Sequence, residues 1–234
     1  MRSRSRIHEG WAVIALIGLV GCQTDQRGDR NPERAAAAGP DLSGIWVAAP
    51  GRHHGRSAFL AMELPLTVAG RAAWQNYVQE NDPAMACSID FGRVTGSSVL
   101  PLEILQGEDV AHILYEYEHQ VRRIFIEGRS EHLQQPLSRM GQSASRWESD
   151  TLVVEVTRLK AGYFYERGSG PYSDSTAVTE RFSISEDGQL LTVTRTIDDP
   201  VFYTRPFDWT TEYEPAGPIF SYECELREYL PTLG

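Results

Sequence analysis

The sequence predicts a mainly β domain, an antiparallel meander of nine or ten strands that closes into a barrel, with one helix near residues 67–80. Two observations carry that prediction. After residue 100 the chain repeatedly alternates runs rich in β-branched and aromatic residues with turn signals, which is the pattern of short strands joined by tight connections. A meander of that many strands leaves two exposed edges unless it closes on itself, and closure is the simplest way to remove them.

The chain opens with Arg2, Arg4 and Arg6, continues with the ten-residue run "AVIALIGLVG" (Ala12 to Gly21), and reaches Cys22. Ten apolar or small residues are too few for a permanent membrane span and suit the apolar core of a signal peptide. Leu19-Val20-Gly21-Cys22 resembles the bacterial lipobox at all four positions. The resemblance implies cleavage after residue 21, a diacylglyceryl thioether on Cys22 and acylation of the new N-terminus. Several acyl chains hold a soluble domain on a membrane where one would hold it only marginally. Gln23, rather than an aspartate, follows the cysteine, which by the sorting rule of enteric bacteria implies an outer-membrane anchor facing the periplasm.

The formal charge is −10, and removing residues 1–21 takes away three arginines and one glutamate, leaving −12. So acidic a chain is poorly matched to nucleic acid or to anionic lipid surfaces. Lys160 stands alone against 21 arginines, a skew that a GC-rich genome explains more simply than anion recognition. Residues 22–40, "CQTDQRGDRNPERAAAAGP", have no apolar period and read as a disordered tether. Residues 41–234 suit one barrel domain with a sizeable core.

Within that domain "SGIWVA" is the first strand. "PLTVAGRAAWQNYVQEN" is the helix, capped by Thr67, carrying Ala73, Trp74, Tyr77 and Val78 on one face, and stopped by Asn81-Asp82-Pro83. "HILYEYEHQVRRIFIEG" is long enough for two strands or one bent strand. "SASRWESDTLVVEVT" is a hairpin about Ser149-Asp150, and "TAVTERFSISEDGQLLTVTRTID" is another about Glu186-Asp187-Gly188. "DWTTEYEP" and "FSYECELREY" complete the meander across Ala216-Gly217-Pro218. Cys87 and Cys224 are the cysteines left after Cys22. In an oxidising compartment such a pair is expected as a disulfide, closing a loop of 137 residues. The chain-entropy argument assigns that bridge up to roughly 5 kcal/mol. No Cys-x-x-Cys or His-x-His spacing points to a metal, and no phosphate loop or dinucleotide fingerprint points to a cofactor.

Gly44-Ile45-Trp46 on the first strand resembles the Gly-x-Trp of lipocalins and the wider calycin barrels. That resemblance implies a tryptophan plugging the closed end of the barrel, with Arg227 of the last strand packed across it by cation–π attraction. "PLTVAGRAAWQNY", "NDPAMAC", "ILYEYEHQVRRI", "SRWESDTLVVEVT", "VTERF" and "DDPVFYTRPF" resemble, over residues 64–224, a widespread set of secreted bacterial proteins of unassigned function. Members of that set commonly carry histidines where Gln142 and Tyr172 stand here, and they supply no activity to carry over.

Candidate chemistry therefore rests on the residues. If Tyr115 to Gly128 is one strand, Tyr115, Tyr117, His119, Val121, Arg123 and Phe125 share a face and line a cavity, while the mixed apolar parity near His119 also fits a bulge or turn there. The expected lining is Tyr115, Tyr117, His119, Arg123, Trp147 and Glu180. His119 and Arg123 are expected to point inward, with Glu148 or Glu180 as the nearest carboxylate. Two functions follow. One is binding of a small apolar or amphipathic molecule. The other is an acid–base enzyme in which His119 or a Glu148 of raised pKa moves a proton and Arg123 steadies negative charge. An internal ion-pair brace with Glu148, Glu155 or Glu180, or a structural envelope role, explains the same residues without a ligand. "GQSAS" departs from the nucleophile elbow at its last position, which weakens any hydrolase reading.

Overall fold

A computed structural model describes residues 39–49, 63–97, 100–126, 136–165 and 168–220. The lipobox, most of the tether, Arg227, Cys22 and Cys224 lie outside the described residues. Among the described residues eleven strands form: β1 Gly44–Ala48, β2 Leu102–Gln106, β3 Val110–Tyr115, β4 Val121–Ile126, β5 Gln142–Glu148, β6 Thr151–Thr157, β7 Gly162–Tyr163, β8 Pro171–Tyr172, β9 Ala177–Ile184, β10 Leu191–Asp198 and β11 Phe207–Pro215. Nine of them close a barrel in the order β1-β11-β10-β9-β6-β5-β4-β3-β2, and β7 pairs with β8 as a separate ribbon.

The period-two pattern explains the closure. In β10, Leu191, Val193, Arg195 and Ile197 are buried while Thr192, Thr194 and Thr196 are not. In β11, Phe207, Trp209, Thr211 and Tyr213 point the same way. The inner faces bring Trp46, Ile113, Tyr115, Ile124, Val154, Phe182, Val193 and Trp209 into one core. Burying such side chains is worth about 1.5–3 kcal/mol each against an exposed reference.

Two details differ from the sequence expectation. The barrel is mixed, because β4 and β5 pair in parallel while the other barrel pairs are antiparallel. A parallel pair needs a connection that returns to its starting end, and here that connection falls between Ile126 and Gln142. The helix, α1 (Val68–Gln75), is shorter than expected. Thr67 caps it, its hydroxyl accepting from the Gly70 N–H at 3.0 Å. Its supposed apolar face is not buried: Trp74 and Val78 are exposed, and Gly70 makes the close approach, where a Cβ would lie 2.3 Å from the Phe202 carbonyl oxygen. Of the two forms expected for "HILYEYEHQVRRIFIEG", the structure has two strands, split by a turn at Tyr117–His119 in which Glu118 and His119 both adopt φ near +50°.

Strand direction sorts the connections. The β2–β3, β5–β6 and β9–β10 turns share one end, which is also where Gly39 backbone lies against the Trp147 ring. Trp46 is buried, and its indole N–H donates to the Leu42 carbonyl at 3.1 Å. The opposite end carries the long segments: 63–97, the Tyr117–His119 turn, 158–165, 168–176 and 199–206. There residues 89–96 press into the barrel mouth, every one of them buried. Gly92 and Gly96 allow that approach, since Cβ atoms would meet Phe164 at 2.4 Å and Trp209 at 2.0 Å. Cys87 lies in the same segment and is disulfide-bonded. It is the one cysteine among the described residues, so its pairing with Cys224 falls outside them.

Candidate functional site

The turn at Glu118-His119 inverts the face expected for the opening stretch. Tyr115 ends β3 pointing into the core, but β4 restarts with Arg122, Ile124 and Ile126 inward and Val121 and Arg123 outward. His119 and Arg123 are therefore exposed, contrary to the expectation that they line a cavity. Tyr117 is partly buried against the core, as is Trp147. Glu148 is also on the outside, where hydrogen bonds from Arg181 and then Arg146 hold its carboxyl below the ordinary value. That is the wrong direction for a proton donor near neutrality. The acid–base arrangement of His119, Glu148 and Arg123 is not assembled.

Arg122, one residue from the expected cation, takes the inner position. It is 2% exposed, donates from Nε to Ser143 Oγ at 2.9 Å and ion-pairs through Nη1 with Glu180 across the barrel. Glu180 is fully buried on β9 and also accepts from Arg195 Nε at 3.1 Å. Arg195 in turn donates to Thr211 Oγ1 at 3.2 Å and reaches Tyr213 Oη at 3.5 Å, while the Tyr213 hydroxyl donates to the Thr95 carbonyl of the inserted segment at 3.2 Å. Phe91 of that segment lies under Arg122, its centroid 5.1 Å from Cζ. Burial pushes the Tyr115 hydroxyl up to about 12, with Arg122 working against the rise. The middle of the barrel is thus a charged layer between apolar ones.

A second network lies at the long-segment end. Arg93 makes a two-pronged contact with Asp82, 2.8 Å to Oδ1 and 2.6 Å to Oδ2, both residues buried. Tyr77 donates to the same Oδ2 at 2.6 Å, and Asp82 Oδ1 also accepts from the Ala84 N–H. Burial pushes the Asp82 carboxyl up, but bonds from Arg93, Tyr77 and Ala84 outweigh it and leave the pKa below the ordinary value. Asp90 is fully buried and held by Arg139 at 2.8 Å and by the Tyr163 N–H at 3.2 Å. Here burial wins over Arg139 and Arg93, and the pKa is raised. Burial also lifts the Tyr77 hydroxyl to about 12, assisted by Asp82.

Tyr77 connects this network to the surface. It stands edge-on to Tyr163, centroids 5.3 Å apart, with Gly168 backbone against its ring. On its open side is a groove of about 620 Å³ between residues 63–66 and α1, lined by Leu64, Leu66, Trp74 and Tyr77, with Glu63, Arg71 and Gln75 as polar members. Arg71 fixes one wall by donating from Nη2 to the Leu66 carbonyl at 3.0 Å. Rings and aliphatic side chains with a few polar groups at their margin are the composition of a small-molecule site. The groove has the reverse of the expected location, since the barrel interior is occupied by inward side chains and residues 89–96.

The sequence reading missed Arg122, Arg195, Asp82, Arg93 and Asp90. Arg195 was readable, because it shares parity with Leu191, Val193 and Ile197, and Glu180 likewise with Val178 and Phe182. Arg122 became readable only with the turn placed at residues 118–119. Asp82 read as a helix stop, and it does cap the short helix Pro83–Ala86. Among the described residues, no group of three or more His, Cys, Asp or Glu side chains is placed to hold a metal, and no helix is long and apolar enough to cross a membrane. No family model matches the chain, and no curated protein is significantly similar to it.

Proposed function

We propose that the chain is a lipoprotein of the bacterial envelope, anchored through Cys22 on the outer membrane and facing the periplasm, that binds a small amphipathic molecule. The observation that carries the binding reading is the groove of about 620 Å³ formed by Leu64, Leu66, Trp74 and Tyr77 beside Arg71. Its size falls in the range of small-molecule pockets, roughly 300–1,000 Å³. Leu64, Leu66 and the two rings accept an apolar body, while Arg71, Glu63 and Gln75 orient a polar head. The tether from Cys22 keeps this groove within reach of molecules leaving or entering the bilayer. A Cys87–Cys224 bridge fits the same arrangement: the Phe220 N–H bonds the Glu116 carboxylate at 2.9 Å, at the end of the barrel where Cys87 lies and four residues before Cys224.

The test uses chain carrying Cys22→Ser, which the lipobox reading expects to be released from membranes and unlabelled by palmitate. Anilinonaphthalene sulfonate, an amphipathic anion, should brighten on binding and be displaced by dodecanoate. Trp74→Ala should weaken both by about tenfold, the loss of roughly 1.4 kcal/mol of contact. Equal binding by the wild-type groove and the Trp74→Ala groove would remove the reading.

A further inference from the structure

The two buried charged networks differ in their balance. At the long-segment end, Asp82 and Asp90 face Arg93 and Arg139, two carboxylates against two guanidiniums. In the barrel layer, Arg122 and Arg195 face Glu180, two guanidiniums against one carboxylate. All three members are at most 3% exposed. A net positive charge kept out of water at that depth is strongly unfavourable unless something of opposite sign compensates it.

Among the described residues, no second carboxylate pairs with these guanidiniums. The groups facing the layer include Tyr115, Tyr213, Thr211 and Ser143. Tyr115 stays a neutral phenol, since burial drives its hydroxyl up to about 12. Arg195 stays charged, its partners outweighing the effect of burial. Arg122 shows where the compensation is missing. Its Nε donates to Ser143 Oγ and its Nη1 touches Glu180 as an ion pair without forming a hydrogen bond, while its Nη2, also buried, meets no hydrogen-bond acceptor among the described residues. A guanidinium N–H is a strong donor, and a buried one with no acceptor loses the full cost of its desolvation.

We propose that the barrel core binds a monovalent anion at Arg122 Nη2, a halide or the carboxylate of a small acid. The ligand brings the one negative charge the layer lacks and accepts the one guanidinium edge that the protein leaves over. This site is inside the barrel and independent of the external groove, so either stands if the other fails.

The experiment compares wild type with Arg122→Met, which leaves Glu180 and Arg195 as a balanced pair. Melting is followed while sodium bromide replaces sodium gluconate at constant ionic strength. The expected result is a wild-type Tm that climbs with the logarithm of bromide concentration, as ligand linkage requires, and an Arg122→Met Tm that does not. Wild-type crystals grown in bromide should show an anomalous peak at hydrogen-bonding distance from Arg122 Nη2. Acetate and octanoate arms assign the source: displacement of bromide by either identifies a carboxylate, and displacement by neither identifies a halide. Equal melting in bromide and gluconate, together with no anomalous peak at Arg122, would overturn the proposal. The crystallographic arm needs only wild type, so failure of Arg122→Met to fold leaves the test intact.

Discussion

Glu180 and Arg181 are neighbours on β9, yet they belong to two Arg/Glu networks with opposite physics. Glu180 points inward, fully buried between Arg122 and Arg195. Arg181 points outward and joins Glu148 at 2.8 Å, which with Arg146 and Glu155 forms a ladder over β5, β6 and β9. The distances inside and outside are similar. The surroundings are not: the outer members are 42–58% exposed, whereas the inner ones are at most 3%. Water already solvates the outer charges, so pairing them changes little. The inner charges have one another and a few neutral hydroxyls, so removing a charged member strands the rest. A short Arg–carboxylate distance is therefore no measure of its importance without the burial beside it.

That contrast breaks or holds most visibly at Glu180. Glu180→Leu leaves two buried guanidiniums with no carboxylate and should cost about 3–5 kcal/mol, enough to lower the urea midpoint severely or prevent folding. A melt within a degree of wild type would mean that the inner layer is hydrated and the contrast is false.

An intermediate effect is expected at Asp90. Its folded pKa is raised, so the folded state holds the proton more tightly than the unfolded chain. The stability this contributes is complete below the unfolded value, about 3.9, and is lost as pH rises through the folded value. Asp90→Asn has no such loss. Its stability relative to wild type should therefore improve as the pH of the melt is raised from about 4 towards neutrality. A difference independent of pH would show that Arg139 compensates Asp90 fully.

The smallest effect belongs to the outer ladder. Glu148→Gln should leave Tm unchanged at moderate salt, although it cuts the contacts to both Arg146 and Arg181. A loss as large as that of Glu180→Leu would place the outer network on the same footing as the inner one.

The barrel was legible because its signal is local. Alternation along "LTVTRTID" and "TAVTERFSI" and the turns at Ser149-Asp150 and Glu186-Asp187-Gly188 each specify a strand or a hairpin within a few residues. Parity was also enough to put Arg195 and Glu180 in the core, although only Glu180 was singled out. The opening stretch failed for one reason. Mixed parity near His119 signals a bulge or turn, but Glu118 and His119 adopt positive φ without a glycine or an asparagine to place it, so the face read across the whole stretch is lost and every later side chain changes face. His119 and Arg123 then moved out, and Arg122 moved in.

What the amino-acid sequence determined by itself was periodicity: strands, hairpins, the Thr67 cap, and the apolar content that forces the sheet to close. What the tertiary structure decided was everything that depends on which periodic faces meet. Arg122 finds Glu180 across the barrel at a separation of 58 residues. Tyr77 meets Tyr163, and residues 89–96 take up the mouth where a ligand cavity was expected. The parallel β4–β5 pair follows the same rule, since direction is set by where a connection returns and no strand records that in its own residues. Local steric preferences act over a few residues and can be read from order, whereas burial of charge is a property of the closed surface and exists only once all nine strands are in place.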